Sequence, residues 1–415
     1  MPQISLVGLA AVAAVAFAVP LLLGFVPRIR LPAVVLEILA GIVIGPSGFG
    51  WVRVDLPVQI FSVIGLGFVL LLAGLEVGFD RLRGRLLAAA LVNFAASLGL
   101  AALVAYALRA VGLVQSPLFI AVVLAATSLG VVIPILKDAG QHASEFGQLV
   151  IAAASIADFG TIILLSVLFS GEATHTGAKA VLLGAFVVLA AAVGLLIARA
   201  ARSMRLSGIL ARLQDTTAQI RVRGAFLLLA AFIALAQVLG LEVIFAAFTV
   251  GVILKLVDPD EMTERSNVRP KLEAAGYGVF VPMFFVASGL QFNVGALVSS
   301  AATIALVPVF FAALLVIRGL PAVLYRPVVG GRRAFAAAML QATSLGFIVV
   351  AAQVGMELHL LSQATGAALI AAGLLSVITF PLTALIVLGR NEASRAIGDA
   401  PGGLGATGSA ITERM

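Results

Sequence analysis

Apolar residues do not alternate along this chain; they come in unbroken runs of helix length, separated by short polar or basic stretches, as far as about residue 389. A run of about 20 residues, wound as a helix, crosses ~30 Å of hydrocarbon. The pattern predicts thirteen spans, near 4–26, 32–46, 57–75, 85–109, 116–136, 146–170, 178–200, 222–239, 242–257, 272–290, 295–325, 334–354 and 362–389. Continuous runs of this kind argue against a β-barrel, whose strands would alternate. Spans 5 and 12 are interrupted. Ala126-Thr127-Ser128-Leu129-Gly130 recurs as Ala342-Thr343-Ser344-Leu345-Gly346, each a polar, glycine-ended break inside an apolar segment. A duplicated break of this kind points to the substrate site of a secondary transporter.

The repetition reaches beyond five residues. Leu72-Ala73-Gly74-Leu75-Glu76 resembles Ala287-Ser288-Gly289-Leu290-Gln291 at an offset of 215, and the pentapeptide follows at 216. Ala153-Ala154-Ser155 resembles Ala371-Ala372-Gly373 at 218, which sets Asp158 opposite Ser376; Leu36-Glu37-Ile38 and Leu241-Glu242-Val243 form a weaker match. In spans the offset is seven. Seven is odd, so the two copies enter the membrane from opposite sides, giving an inverted-topology repeat. The expected organisation is a membrane domain over 1–389, with repeats near 4–170 and 222–389 joined by the helix 178–200, and a tail 390–415 expected to be disordered.

Composition narrows the class further. With 62% hydrophobic and 11% charged residues and a mean hydropathy of +1.19, the chain is far from the roughly 25% charge of soluble domains. The first run, 4–26, lacks a basic leader and is too long for a signal-peptide core, so it is read as a retained span. The absence of cysteine excludes disulfides and thiolate metal sites. The net charge of +7 reflects topology rather than nucleic acid. Of 26 Lys and Arg, 22 fall in or at the edges of the odd-numbered loops and the tail; Arg53, Arg109 and Lys179 are the exceptions in even loops, and Arg318 lies within a span. By the positive-inside rule the N-terminus is outside and the C-terminus cytoplasmic, in the cell membrane. No cofactor motif is present.

Asp158 carries the chemistry. It lies about a dozen residues into span 6, where a charged carboxylate costs at least ~2.5–3.5 kcal/mol on an isolated helix. Counting inward from each end brings Thr127 and Ser128 on span 5, and Gln341, Thr343 and Ser344 on span 12, to the same midplane depth; Ser155 is one turn before Asp158 on the same face. Each hydroxyl alone could bond back to its own helix. Together with carbonyls freed by the breaks, they suit a hard monovalent cation. One carboxylate holds a proton or a cation, never both, and that competition produces antiport. Glu37 and Arg318, of opposite sign and matching depth, are expected to form a structural ion pair, with Glu37 in the ion path as the minority reading. Glu76 and Glu242, at helix ends, are expected at the mouths. An organic-anion symporter is disfavoured because no cationic side chain is expected near the breaks, and a channel because no carbonyl filter is evident. No enzyme constellation is present.

These residues resemble the monovalent cation:proton antiporter-2 family of the sodium/proton exchanger superfamily. The likeness is carried by Glu37-Ile38-Leu39-Ala40-Gly41-Ile42-Val43-Ile44-Gly45-Pro46-Ser47, by Leu72-Ala73-Gly74-Leu75-Glu76 with Asp80, by Thr127-Ser128, and by the segment from Gly147-Gln148-Leu149 through Ala157-Asp158 to Leu165. The resemblance implies an all-α fold with two crossed discontinuous helices, a separate dimerisation domain, elevator-type alternating access, and a homodimer exchanging Na⁺ or K⁺ for H⁺ at Asp158. Two positions depart from it: Ala157, often a second acid or an amide, and Gln341, basic in many relatives. With one carboxylate and no neutralising lysine, one-for-one electroneutral exchange is expected.

Overall fold

The computed structural model describes residues 6–25, 32–76, 84–169, 176–201, 219–239, 241, 243–257 and 268–398, and no strand occurs among them. Asp80, Glu242, most of the basic linker between Arg199 and Arg223, and 399–415 lie outside the described residues.

Among the described residues thirteen spans follow in order. Val7–Phe25, Ala33–Ile44, Leu56–Glu76 and Gly84–Ala110 are spans 1 to 4; Pro117–Leu124 and Leu129–Asp138 are the two halves of span 5. Glu145–Phe169, Thr176–Ala201, Ile220–Val238 and Val243–Val257 are spans 6 to 9. Span 10 is Val268–Gln291 and span 11 is Ala301–Val329. Span 12 is split into Gly331–Ala342 and Gly346–Glu357, and span 13 is Gln363–Gly398. The last helix therefore runs through 390–398, the first part of the tail expected to lack order.

The spans sort into two packed groups. Spans 1, 2, 3, 9 and 10 pack on one another, with span 8 against span 9; spans 4, 5, 6, 11, 12 and 13 form the other group. Burial separates centre from rim: 89% of the apolar window of Gly331–Glu357 is buried, against 11% for Val7–Phe25. Span 12 is enclosed by protein, and span 1 lies exposed on the rim.

Glycine sets the closest approaches in the first group. A Cβ on Gly41 would run into the Val286 carbonyl and one on Gly289 into the Ile38 carbonyl; one on Gly74 would meet the Phe248 carbonyl and one on Gly251 the Leu71 carbonyl. Span 2 thus crosses span 10 as span 9 crosses span 3, glycine on glycine, with backbones in contact. Exchanging 2 with 9 and 3 with 10 maps one crossing onto the other, as an inverted repeat requires. The register pairs 74 with 289 but 41 with 251, an offset of 210. The weaker match of 36–38 to 241–243 is therefore five residues out of register.

Two stretches widen to π-helix: Gly276–Phe280 inside span 10 and Leu315–Gly319 inside span 11. Such turns re-aim the side chains they carry and recur at functional sites. Here they carry Tyr277 and Arg318.

Candidate functional site

The two broken helices meet at their breaks. Ser128 and Thr343 take extended backbone, which ends the hydrogen-bond ladder and leaves donors and carbonyls without helical partners. Each break satisfies the other's orphans. The Ser128 N–H donates to the Thr343 carbonyl at 2.9 Å, and the Thr127 hydroxyl donates to the Gln341 carbonyl at 2.9 Å. The Ser128 Oγ accepts from the Leu345 and Gly346 N–H groups at 3.0 and 3.1 Å, capping the second half of span 12.

Acidic and neutral caps divide the breaks. The Leu129 N–H, at the start of a half-helix, donates to Asp158 Oδ2 at 3.1 Å. The Ser344 N–H donates to Ser376 Oγ at 3.1 Å, and that hydroxyl also reaches the Ser344 carbonyl at 3.0 Å. Span 6 and span 13 therefore hold equivalent places with one carboxylate between them. Asp158 Oδ1 is buried without a protein partner.

A cavity of about 140 Å³ reaches this crossing from one end of the bundle. Thr127, Ser128, Leu129, Gly130 and Asp158 line its inner end from the second helix group, with Leu345 and Gly346. Pro32, Glu76 and Tyr277 line its mouth from the first group. The Tyr277 hydroxyl donates to Glu76 Oε1 at 3.4 Å, a weak contact. The space thus follows the seam between the two groups.

Of the seven residues expected to bind the cation or proton, Asp158, Thr127 and Ser128 line the cavity. Ser155, Gln341, Thr343 and Ser344 stand behind its wall. Ser155 and Ser344 hydroxyls are buried without partners, Thr343 bonds back to the Met339 carbonyl at 3.1 Å, and Gln341 lies beside Tyr325. The Ser128 hydroxyl is taken up by its capping bonds, so this break offers backbone carbonyls more readily than that side chain.

The expected Glu37–Arg318 pair does not form. Arg318 Nε donates to Thr127 Oγ1 at 2.8 Å and its Nη1 to Ser97 Oγ at 3.0 Å, placing it at the break itself. Glu37 is on span 2, which packs against span 10 in the other group, and it does not line the cavity. The π-turn and the packing of span 11 on spans 4 and 12 turn Arg318 toward the break instead. The premise that no cationic side chain stands near the breaks is overturned too. Arg318 is nevertheless fully buried and absent from the cavity lining, so it presents no free surface to an anion. Tyr277 and the position of Arg318 were missed by sequence reasoning. The glycines flanking Tyr277, Gly276 and Gly278, were the available cue.

Comparison with known proteins decides the family. The model of the transmembrane sodium/hydrogen exchanger family matches residues 13–388. The chain belongs to the sodium/hydrogen exchanger family. This is a family of membrane transporters, not enzymes. The chain is 30% identical over 397 residues to the putative Na⁺/H⁺ antiporter YjbQ of Bacillus subtilis, covering 92% of this chain and 63% of that protein, so it spans less than two thirds of that relative. It is 27% identical over 384 residues to probable Na⁺/H⁺ antiporter 3 of Methanocaldococcus jannaschii, covering 89% and 92%. The structure of the sodium proton antiporter MjNhaP1 from the same archaeon superposes with a TM-score of 0.64 at 16% identity, over 94% of this exchanger and 98% of that chain. The fold is shared over most of the chain.

Proposed function

We propose that this exchanger moves a monovalent cation, Na⁺ or K⁺, against one proton, both competing for Asp158. The observation that carries the reading is the free Oδ1 of Asp158 at the inner end of a cavity, beside a helix break, with its other oxygen held by the Leu129 N–H. Backbone oxygens freed by the Thr127–Ser128 break would complete a cation shell, while the Thr127 hydroxyl is held between Arg318 and the Gln341 carbonyl. Arg318 changes the charge of the site but not the balance of exchange: a guanidinium keeps its charge whether Asp158 carries a proton or a cation. Each loaded form therefore has the same net charge, and exchange is electroneutral.

Spans 4–6 and 11–13 move as the carrier against spans 1–3 and 8–10, in a homodimer joined through the latter. The 22-to-3 distribution of basic residues supports a cytoplasmic cavity mouth, since Pro32, Glu76 and Tyr277 lie at the ends of spans 2, 3 and 10 that face the basic loops. Proteoliposomes with an internal pH-sensitive dye test the scheme. Adding Na⁺ or K⁺ outside should release internal protons, valinomycin-clamped potentials should leave the rate unchanged, and Asp158→Asn should abolish the signal. Full exchange in Asp158→Asn would sink the mechanism; cation flux without proton movement would favour a channel.

A further inference from the structure

Two spaces lie in the seam between the helix groups. One is the cavity that ends at Asp158. The other is a crevice of about 10 Å³ toward the opposite end, lined by Ser288, Gln291 and Gln353 among others. A hydrogen bond stands between them: Gln353 Nε2 donates to Ser288 Oγ at 2.9 Å, tying span 12 to span 10. Ser288 lies one turn beyond Phe285 and Gln353 one turn beyond Val350, and both of those apolar residues line the cavity. The bond is therefore the next layer past the cavity's inner end, and it shuts the seam on the far side. Releasing it strands neither partner. Ser288 keeps its own bond to the Phe284 carbonyl at 2.7 Å, and Gln353 is half-buried at a crevice where water can replace Ser288.

The repeat register says what should answer this bond on the mouth side. The offset of 215 pairs Ser288 with Ala73 and Gln291 with Glu76, and the offset of 216 pairs Gln353 with Lys137. Ala73 and Glu76 line the open cavity. Lys137 is exposed on the second half of span 5, close enough for its charge to act on Glu76, and no ion pair joins them among the described residues. From span 10, Tyr277, Arg269 and Glu273 face Glu76 from its other side. Exchanging the roles of the two repeats is how an inverted-repeat carrier reaches its opposite-facing state. That exchange brings Lys137 onto the Ala73–Glu76 level, as Gln353 now bonds to Ser288 in the crevice it shares with Gln291.

We infer that the carrier has two alternating closures: the Ser288–Gln353 hydrogen bond, made in this state, and a Glu76–Lys137 ion pair, made when the cavity shuts. The inference rests on the moving-group reading above and goes further by naming the pairs that set the balance between the two states. These are positioning residues; they act on the cycle without touching the ion at Asp158. The two closures differ in kind, since one is neutral and the other ionic.

The native chain has no cysteine, so a single Val350→Cys reporter at the cavity's inner end can be labelled with a membrane-impermeant maleimide from either face of membrane vesicles. In that background Ser288→Ala or Gln353→Leu should raise far-side labelling about three- to tenfold, the worth of one hydrogen bond. Lys137→Gln should lower far-side labelling several-fold, and Lys137→Glu combined with Glu76→Lys should restore it. Loss of mere attraction for cations would not be repaired by that swap. Unchanged far-side labelling in Ser288→Ala and Gln353→Leu, with mouth-side labelling retained, overturns the closures. A reporter that never labels from the far side in any variant, even during turnover, overturns the moving-group reading itself.

Discussion

Arg318 shows how much a single buried side chain can organise. Its Nε bonds to a Thr127 hydroxyl that in turn bonds to the Gln341 carbonyl, so one guanidinium ties span 11 to both broken helices. Hydrogen bonds to a charged donor contribute ~1.5–3 kcal/mol each. Arg318→Ala should therefore lower the melting temperature in detergent and remove exchange. Arg318→Lys, with the charge but not the fork, should recover stability only in part. Ser128 offers a sharper contrast. Ser128→Ala leaves the buried Leu345 N–H without an acceptor, at ~1–3 kcal/mol, and the part-buried Gly346 N–H facing the cavity, whereas Ser155→Ala removes a hydroxyl that has no partner. Thermal unfolding of the two variants should differ by several degrees, with Ser128→Ala the weaker. That Asp158 lies beside a helix break was legible from the sequence, because position along two antiparallel spans is a count of residues. The partner of Arg318 was not, because counting gives depth and says nothing of the face a side chain takes.

Among elements, the broken helices were legible as a repeated string, and their crossing was what the family resemblance implied. The π-turns were not. A π-turn inserts one extra residue into a helical turn, and no residue type marks it as proline marks a kink. The glycine crossings stand between these cases: Gly74 and Gly289 were visible as a match, whereas Gly41 and Gly251 emerge as partners only when the spans are packed. Larger side chains at either crossing would push backbones apart, and overpacking of this kind costs ~1–3 kcal/mol or more. Gly41→Leu and Gly251→Leu should be similarly harmful, since each sits at the same crossing in its own half. Size-exclusion profiles and melting temperatures of the purified variants check this; one tolerated and one destructive substitution would argue that the halves do not share the load.

For the whole molecule, one carboxylate in a site built by two halves fixes the expected pH response. Where Asp158 is protonated in the free carrier, a cation must displace one proton, so the apparent KM for cation should rise about tenfold for each unit of falling pH. At high pH, with Asp158 ionised, KM should level off. Initial rates of dye response across pH and cation concentration measure this slope. A hundredfold rise per unit would mean two protons per cation, and exchange would then carry charge.

Because Arg318 and the two breaks are bonded into one piece, the site has no hinge of its own. In the moving-group scheme proposed above, a pocket carried intact from one face of the membrane to the other would offer the same ligands in both places. Its intrinsic preference for Na⁺, K⁺ or H⁺ should thus be equal on the two sides. The carrier would act as a reversible balance rather than a ratchet, with the net direction of exchange set by the two gradients alone.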